Sequence, residues 1–219
     1  MYSRDYIKRM IEQFGAFLLA LKQLLTENRR EEARAQIDAA FREALGITPE
    51  FARQASDDAL LLFVSMGRVG DLDRVLVLAD LLDADGDWHA LVGEEHLAIQ
   101  NYEKAAHVLL DALLQQPFGT SKDYTERIDA LLDKLERFTE LAPHTQARAF
   151  AYYERMGRYA AAEDALWSLL AQDPKAWRQE ARAFYQRLLA LRDHELMLGG
   201  LSRQEVLDAL AMLNGEAPE

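Results

Sequence analysis

Apolar residues recur at every third or fourth position along most of this chain, the pattern of helices that bury one face. Two stretches carry the pattern in the same register 57 residues apart, residues 100–117 and 157–174. Tyr102, Ala105, Leu109, Ala112 and Pro117 are spaced 3, 4, 3 and 5, and Tyr159, Ala162, Leu166, Leu169 and Pro174 repeat those intervals. In each stretch the proline closes the helix. Glycine and proline mark boundaries at 46–49, 67–70, Gly86, 117–119, Gly157, Pro174 and 199–200. Thr48, Thr120 and Ser202 stand as N-caps, and Ser202 with Glu205 has the spacing of a capping box ahead of Val206, Leu207, Leu210 and Leu213. No segment reads as a strand. The expectation is an all-α chain of about eleven helices, joined by short connections into antiparallel hairpins within a single domain.

The first helix, residues 4–27, differs from the others. Ile7, Ile11, Phe14, Leu18, Leu21 and Leu25 are spaced 4, 3, 4, 3 and 4, a seam three heptads long. Met10, Phe17 and Leu24 widen it on one flank. Burying each large apolar side chain is worth about 1.5–3 kcal/mol, so this stripe must dock somewhere. A stripe this wide predicts packing on the helix's own domain, with self-association through it as the alternative. Membrane-surface binding is a minor option, because Asp5 and Glu12 oppose Arg4, Lys8, Arg9 and Lys22.

The segment from Gly157-Arg158-Tyr159 to Pro174 resembles the second helix of a tetratricopeptide repeat (TPR), and so does the Tyr102–Pro117 pattern. Frames of 34 residues then cover 86–119 and 143–176. Gly93 fits the small helix-A position of the first, whereas Phe150 departs from it in the second and Leu169 is larger than the usual alanine. Residues 1–28 form the amphipathic helix, 29–85 degenerate hairpins, 120–142 an extra helix that breaks the period, and 177–219 capping helices. The resemblance implies an irregular TPR-like array, whose products are surfaces rather than chemistry. The opening Asp5-Tyr6-Ile7-Lys8-Arg9-Met10-Ile11-Glu12-Gln13 is similar to the start of bacterial proteins known only as a domain of unknown function, which implies a bacterial, cytoplasmic setting.

Charge narrows the partners. The net charge is −12, with nine Lys/Arg against eight Asp/Glu over residues 1–53 but seven against eighteen over 54–145. So acidic a middle repels phosphate backbones and excludes nucleic acid, while suiting a basic protein or peptide. The chain has no cysteine, which removes thiol chemistry and Cys-zinc sites and fits a reducing cytosol. No secretory signal is visible, and the longest early apolar run, residues 14–21, is far short of a membrane span.

Candidate chemistry is sparse. Asp83, Asp85 and Asp87 around Gly86 lack the other ligands of a calcium loop and read as an Asp-rich helix end. His89, His96 and His107 have no ligand spacing, and no nucleotide, hydrolase or deaminase motif occurs. No catalytic residue, metal site or cofactor is expected. The aromatic residues Tyr152, Tyr153, Tyr159, Trp167, Trp177, Phe184 and Tyr185 read as a C-terminal core. The TPR resemblance puts a partner groove at Asp87, Glu94, Leu97, Ala151, Glu154 and Arg155. The expected function is therefore a non-enzymatic protein-interaction or scaffold module. The alternatives are an enzyme or regulator with a pocket between helices that carries no motif, and a structural homo-oligomer.

Overall fold

The computed structural model of the chain describes residues 4–64, 72–115 and 122–215. The boundaries expected at 67–70 and 117–119, the Thr120 cap, and the side chains of Ile7, Met10 and Ile11 lie outside the described residues. Twelve α-helices and no strand occur among the described residues, so the all-α expectation holds. The helices group into two compact units, Met1–Glu140 and Leu141–Glu219.

The first unit holds α1 (Arg4–Thr26), α2 (Arg30–Ala40), α3 (Pro49–Gln54), α4 (Asp57–Val64), α5 (Leu72–Val92), α6 (Glu95–Leu114) and α7 (Lys122–Phe138). Past Ala40 the chain continues as one π-helical segment, Phe41–Leu45. Ile37, Phe41 and Leu45 are all buried. A four-residue interval drifts around a helix of 3.6 residues per turn, and the wider π turn keeps these three side chains inside. Thr48 then caps α3, its Oγ1 accepting from the Phe51 N–H at 3.1 Å, with Pro49 in the first turn. Helices α1, α2, α4 and α6 all pack on α5, and α7 packs on α6.

Helix α5 ends at Gly93 in the left-handed region (φ 85°), and the Glu94 N–H reaches back to the His89 carbonyl at 2.9 Å. Gly86, by contrast, is not a boundary: α5 runs straight through it, across the expected junction at 85/86. Glycine is required there because a Cβ would collide with the ring of Tyr102 on α6. The Asp83–Asp87 stretch is accordingly mid-helix and not a turn.

The wide stripe of α1 is covered by its own chain in its C-terminal half. Leu21 and Leu24 are buried and Phe14, Phe17, Leu18 and Leu25 half-buried, against α5 and α2.

The second unit comprises α8 (Pro143–Arg155), α9 (Tyr159–Gln172), α10 (Pro174–Leu189), α11 (Asp193–Leu198) and α12 (Arg203–Asn214). Ser202 and Glu205 form the expected capping box on α12. Phe150, the departure from the repeat pattern, is buried and sets its ring edgewise to Phe184 at 5.4 Å and Trp177 at 6.5 Å. Tyr185 and Phe184 complete this core and Tyr153, Tyr159 and Trp177 border it. Trp167 lies at the margin of this core, 36% exposed, with its Nε1–H donating to the Tyr185 hydroxyl at 3.0 Å.

The two matched stretches occupy different places in their hairpins. Tyr159 opens α9 two residues after the turn at Gly157, whereas Tyr102 lies well inside α6, nine residues past Gly93. Both rings nevertheless lie on a glycine, Tyr102 on Gly86 and Tyr159 on Gly199. Gly86→Ala is expected to lower the stability of the first unit by about 1–3 kcal/mol through overpacking, despite the better helix propensity of alanine. Urea denaturation followed by Trp88 fluorescence checks this, and an unchanged midpoint would refute the Tyr102 contact.

Candidate functional site

Helix α5 carries aspartates on two faces. Asp80, Asp83 and Asp87 follow one another at intervals of three and four, so they share a face, while Asp85 and His89 lie one turn apart on another. On the first face α7 supplies the counter-charges. Arg127 grips Asp80 with Nε at 2.8 Å and Nη2 at 3.2 Å. Lys134 donates to Asp83 and, at 2.9 Å, to Asp87, and its ammonium lies 4.6 Å from the centre of the Tyr102 ring. The Tyr102 hydroxyl donates to Asp87 at 2.8 Å. Two carboxylates therefore share one ammonium. Burial, reinforced by the neighbouring Asp87 and Asp80 charges against the pull of Lys134, pushes the Asp83 carboxyl up to about 6.

These aspartates form one wall of a groove of about 270 Å³ whose other wall is α1. Gly15, Leu18, Leu19, Leu21, Lys22 and Leu25 line the α1 side, facing Asp80, Asp83, Ala84 and Asp87. From Phe14 to Leu21 the helix has no charged residue. Yet Gly15, Ala16, Leu19 and Ala20 stand exposed, Leu19 to 73%. Other exposed apolar side chains, such as Leu62 on α4 and Met197 and Leu198 on α11, do not line it.

The other face of α5 is closed. Asp85 has no solvent exposure and accepts from Arg34 of α2 at 2.6 Å, Arg53 of α3 at 2.7 Å and Asn101 of α6 at 2.9 Å. Arg34 also holds Asp38 and lies 5.0 Å from the centre of the Trp88 ring. Arg53 Nη1 is 2.9 Å from His89 Nε2. A guanidinium only donates, so Nε2 accepts and the imidazole proton sits on Nδ1, which donates to Glu94 at 2.6 Å. A third cluster ties α4 to α6: Asp57 accepts from Lys104 at 2.9 Å and faces His107 Nδ1 at 3.0 Å. Burial raises the Asp57 carboxyl, but the hydrogen bonds from His107 and Lys104 outweigh it and hold the group well below the usual carboxylate range.

The residues expected to form a partner groove are divided between the units. Asp87 lines the α1–α5 groove. Glu94 precedes α6 and is engaged by His89, while Leu97 is half-buried in the first turn of α6. Ala151, Glu154 and Arg155 belong to α8 of the second unit, where Glu154 accepts two bonds from Arg187, at 2.7 and 2.9 Å. Of the histidines, His89 and His107 are buried beside carboxylates and His96 is exposed. Among the described residues no His, Asp and Glu converge as a metal-binding set. The partners that sequence reasoning missed are Arg34, Arg53, Arg127 and Lys134. For Arg127 and Lys134 the one signal was scarcity, since residues 54–145 hold seven basic residues against eighteen acidic ones, while Arg34 and Arg53 come from the charge-balanced residues 1–53 and carried no such signal.

Replacing Asp85 by alanine takes the carboxylate from Arg53 and leaves Arg34 with Asp38 alone. Loss of one partner of a buried pair costs about 3–5 kcal/mol, and the lower end is expected because the Arg34 and Arg53 side chains keep 22% and 16% exposure. Urea titration of Asp85→Ala, read at Trp88, measures the loss. Asp83 acts in the opposite sense with pH. Its folded pKa lies above the ordinary value, so the stability it contributes is complete below about pH 4 and is lost as pH rises through 6. The melting temperature of Asp83→Asn relative to the parent should therefore climb between pH 4 and 7 and level off above. A flat difference would contradict the raised pKa.

No curated protein and no solved structure matches the chain. No described helix is long and apolar enough to cross a membrane. One family model does match, over residues 1–217, and it spans both units with all their helices. The chain thus belongs to the family of unknown function DUF6483.

Proposed function

We propose that this chain is a non-enzymatic interaction module, TPR-like in its helical hairpins, which binds a protein or peptide through the groove between α1 and α5. The observation that carries this reading is the exposed apolar face of α1. Residues 14–21 of α1 are uncharged around two full turns, a stretch that is normally buried, and here Leu19, 73% exposed, sits on the rim of an open groove. Exposed apolar surface joined to a concavity and rimmed by charge is characteristic of docking sites. The carboxylates, in turn, are engaged by basic side chains of neighbouring helices, an arrangement suited to holding a scaffold rather than to moving protons. A cytoplasmic setting accords with the cysteine-free sequence.

The test is a photo-crosslinking amino acid at Leu19, compared in cells with the same group at the exposed polar Gln204 on α12. The expected result is a discrete polypeptide adduct from position 19, lost when Ala16 and Ala20 are both changed to Glu, and none from position 204. Equal adducts at both positions, or none at either, would overturn the reading.

A further inference from the structure

We propose that Lys22 of α1 is a strap across the α1–α5 groove, drawn onto the Asp83–Asp87 pair when both carboxylates are ionised and released when one of them takes up a proton. The contact joins two helices of one chain and needs no partner. Its consequence, a groove that narrows when the strap closes, rests on the reading of the groove as a docking surface. Lys22 lines the groove opposite Asp83 and Asp87. It is exposed, and no carboxylate among the described residues lies within ion-pairing distance of its ammonium. It stands one turn from both Leu18 and Leu25, which line the same wall. The four-carbon stem can lie along these leucines while the ammonium crosses to the carboxylates.

The α5 wall carries one charge too many. Asp80 is matched by Arg127, whereas Asp83 and Asp87 have only the Lys134 ammonium between them. The Tyr102 hydroxyl of α6 donates to Asp87 but brings no charge. Helices α2 and α3 spend Arg34 and Arg53 on Asp85, at the other face, with Asp38 also paired to Arg34. On α4, Asp57 is engaged by Lys104 and His107 of α6. That leaves α1, whose one charged residue on the groove is Lys22. With both carboxylates ionised, the unmatched negative charge attracts it, and the partly buried wall screens that attraction less than open water would. Partial burial, with the Asp87 charge, pushes the Asp83 carboxyl up to about 6 against the pull of Lys134. Below that pH Lys134 alone balances the pair and Lys22 has nothing to close on. Above it the bridge lies between the Leu18 side of the groove and the carboxylates.

A double-mutant cycle on the full chain, melted at pH 5 and at pH 8, tests the strap. Lys22→Met keeps the stem and removes the charge. It is expected to lower the melting temperature by about 2 °C at pH 8 and to leave it unchanged at pH 5. Lys22→Arg should restore the parent value at pH 8. In the Asp83→Asn background, where the pair carries a single charge, Lys22→Met should have no effect at either pH. At pH 8, coupling of amines directly to carboxylates, followed by peptide mapping, should link Lys22 to Asp83 or Asp87 within one chain. An equal loss at both pH values would overturn control by the proton. No loss at either, or a loss that persists in Asp83→Asn, would overturn the bridge itself. The docking reading keeps a separate readout in the Leu19 adduct. An adduct without any Lys22–Asp83 coupling sinks the strap and leaves docking standing, whereas coupling without an adduct does the reverse.

Discussion

The first unit is organised around one buried charge. A carboxylate moved out of water loses several kcal/mol of hydration, and only close, well-aligned counter-charges offset that loss. Asp85, with no exposure, obtains them from Arg34 and Arg53 and a further bond from Asn101. These three residues come from three helices, so satisfying one side chain of α5 fixes α2, α3 and α6 around it. The short, rigid entry into α3 serves this end. The Thr48 cap and Pro49 place Arg53 one turn into a six-residue helix, within reach of both Asp85 and His89.

The opposite face of α5 meets the same demand less completely. There α7 brings Arg127 and Lys134 to three aspartates, and α1 leaves a groove beside them. Partial burial, with the neighbouring Asp87 charge, raises the Asp83 carboxyl against the pull of an ammonium that it shares with Asp87. One side of the helix is thus a finished joint between helices and the other an open surface. The apolar rim of α1 lies beside that surface, and the proposed docking reading rests on it.

Much of the helical framework was legible from local spacing. The Ser202–Glu205 box, the Thr48 cap and the turn at Gly157 involve bonds spanning only a few residues, so the sequence states them in full. Gly86 was misread for the converse reason. Its glycine is demanded by Tyr102, sixteen residues away on the next helix, and nothing in its own neighbourhood distinguishes it from a helix end. Of the candidate groove, Asp87 was found, but its companions across the groove are Leu18, Leu19 and Lys22 of α1 rather than residues of α8.

By itself, then, the sequence determined that the chain is helical, where most helices start and stop, and that α1 has more apolar surface than one helix can leave in water. Each of these follows from interactions within a turn or two, or from a periodicity that burial imposes on the residues themselves. Tertiary structure alone decided which aspartates became joints and which became a wall. Arg34, Arg53, Arg127 and Lys134 reach α5 across separations of 32 to 51 residues, and such pairings leave no periodic trace. It also decided that Leu21 and Leu24 of α1 are covered while Leu19 is not, because that depends on the angle at which α1 lies on α5, a property of the packed helices rather than of either one.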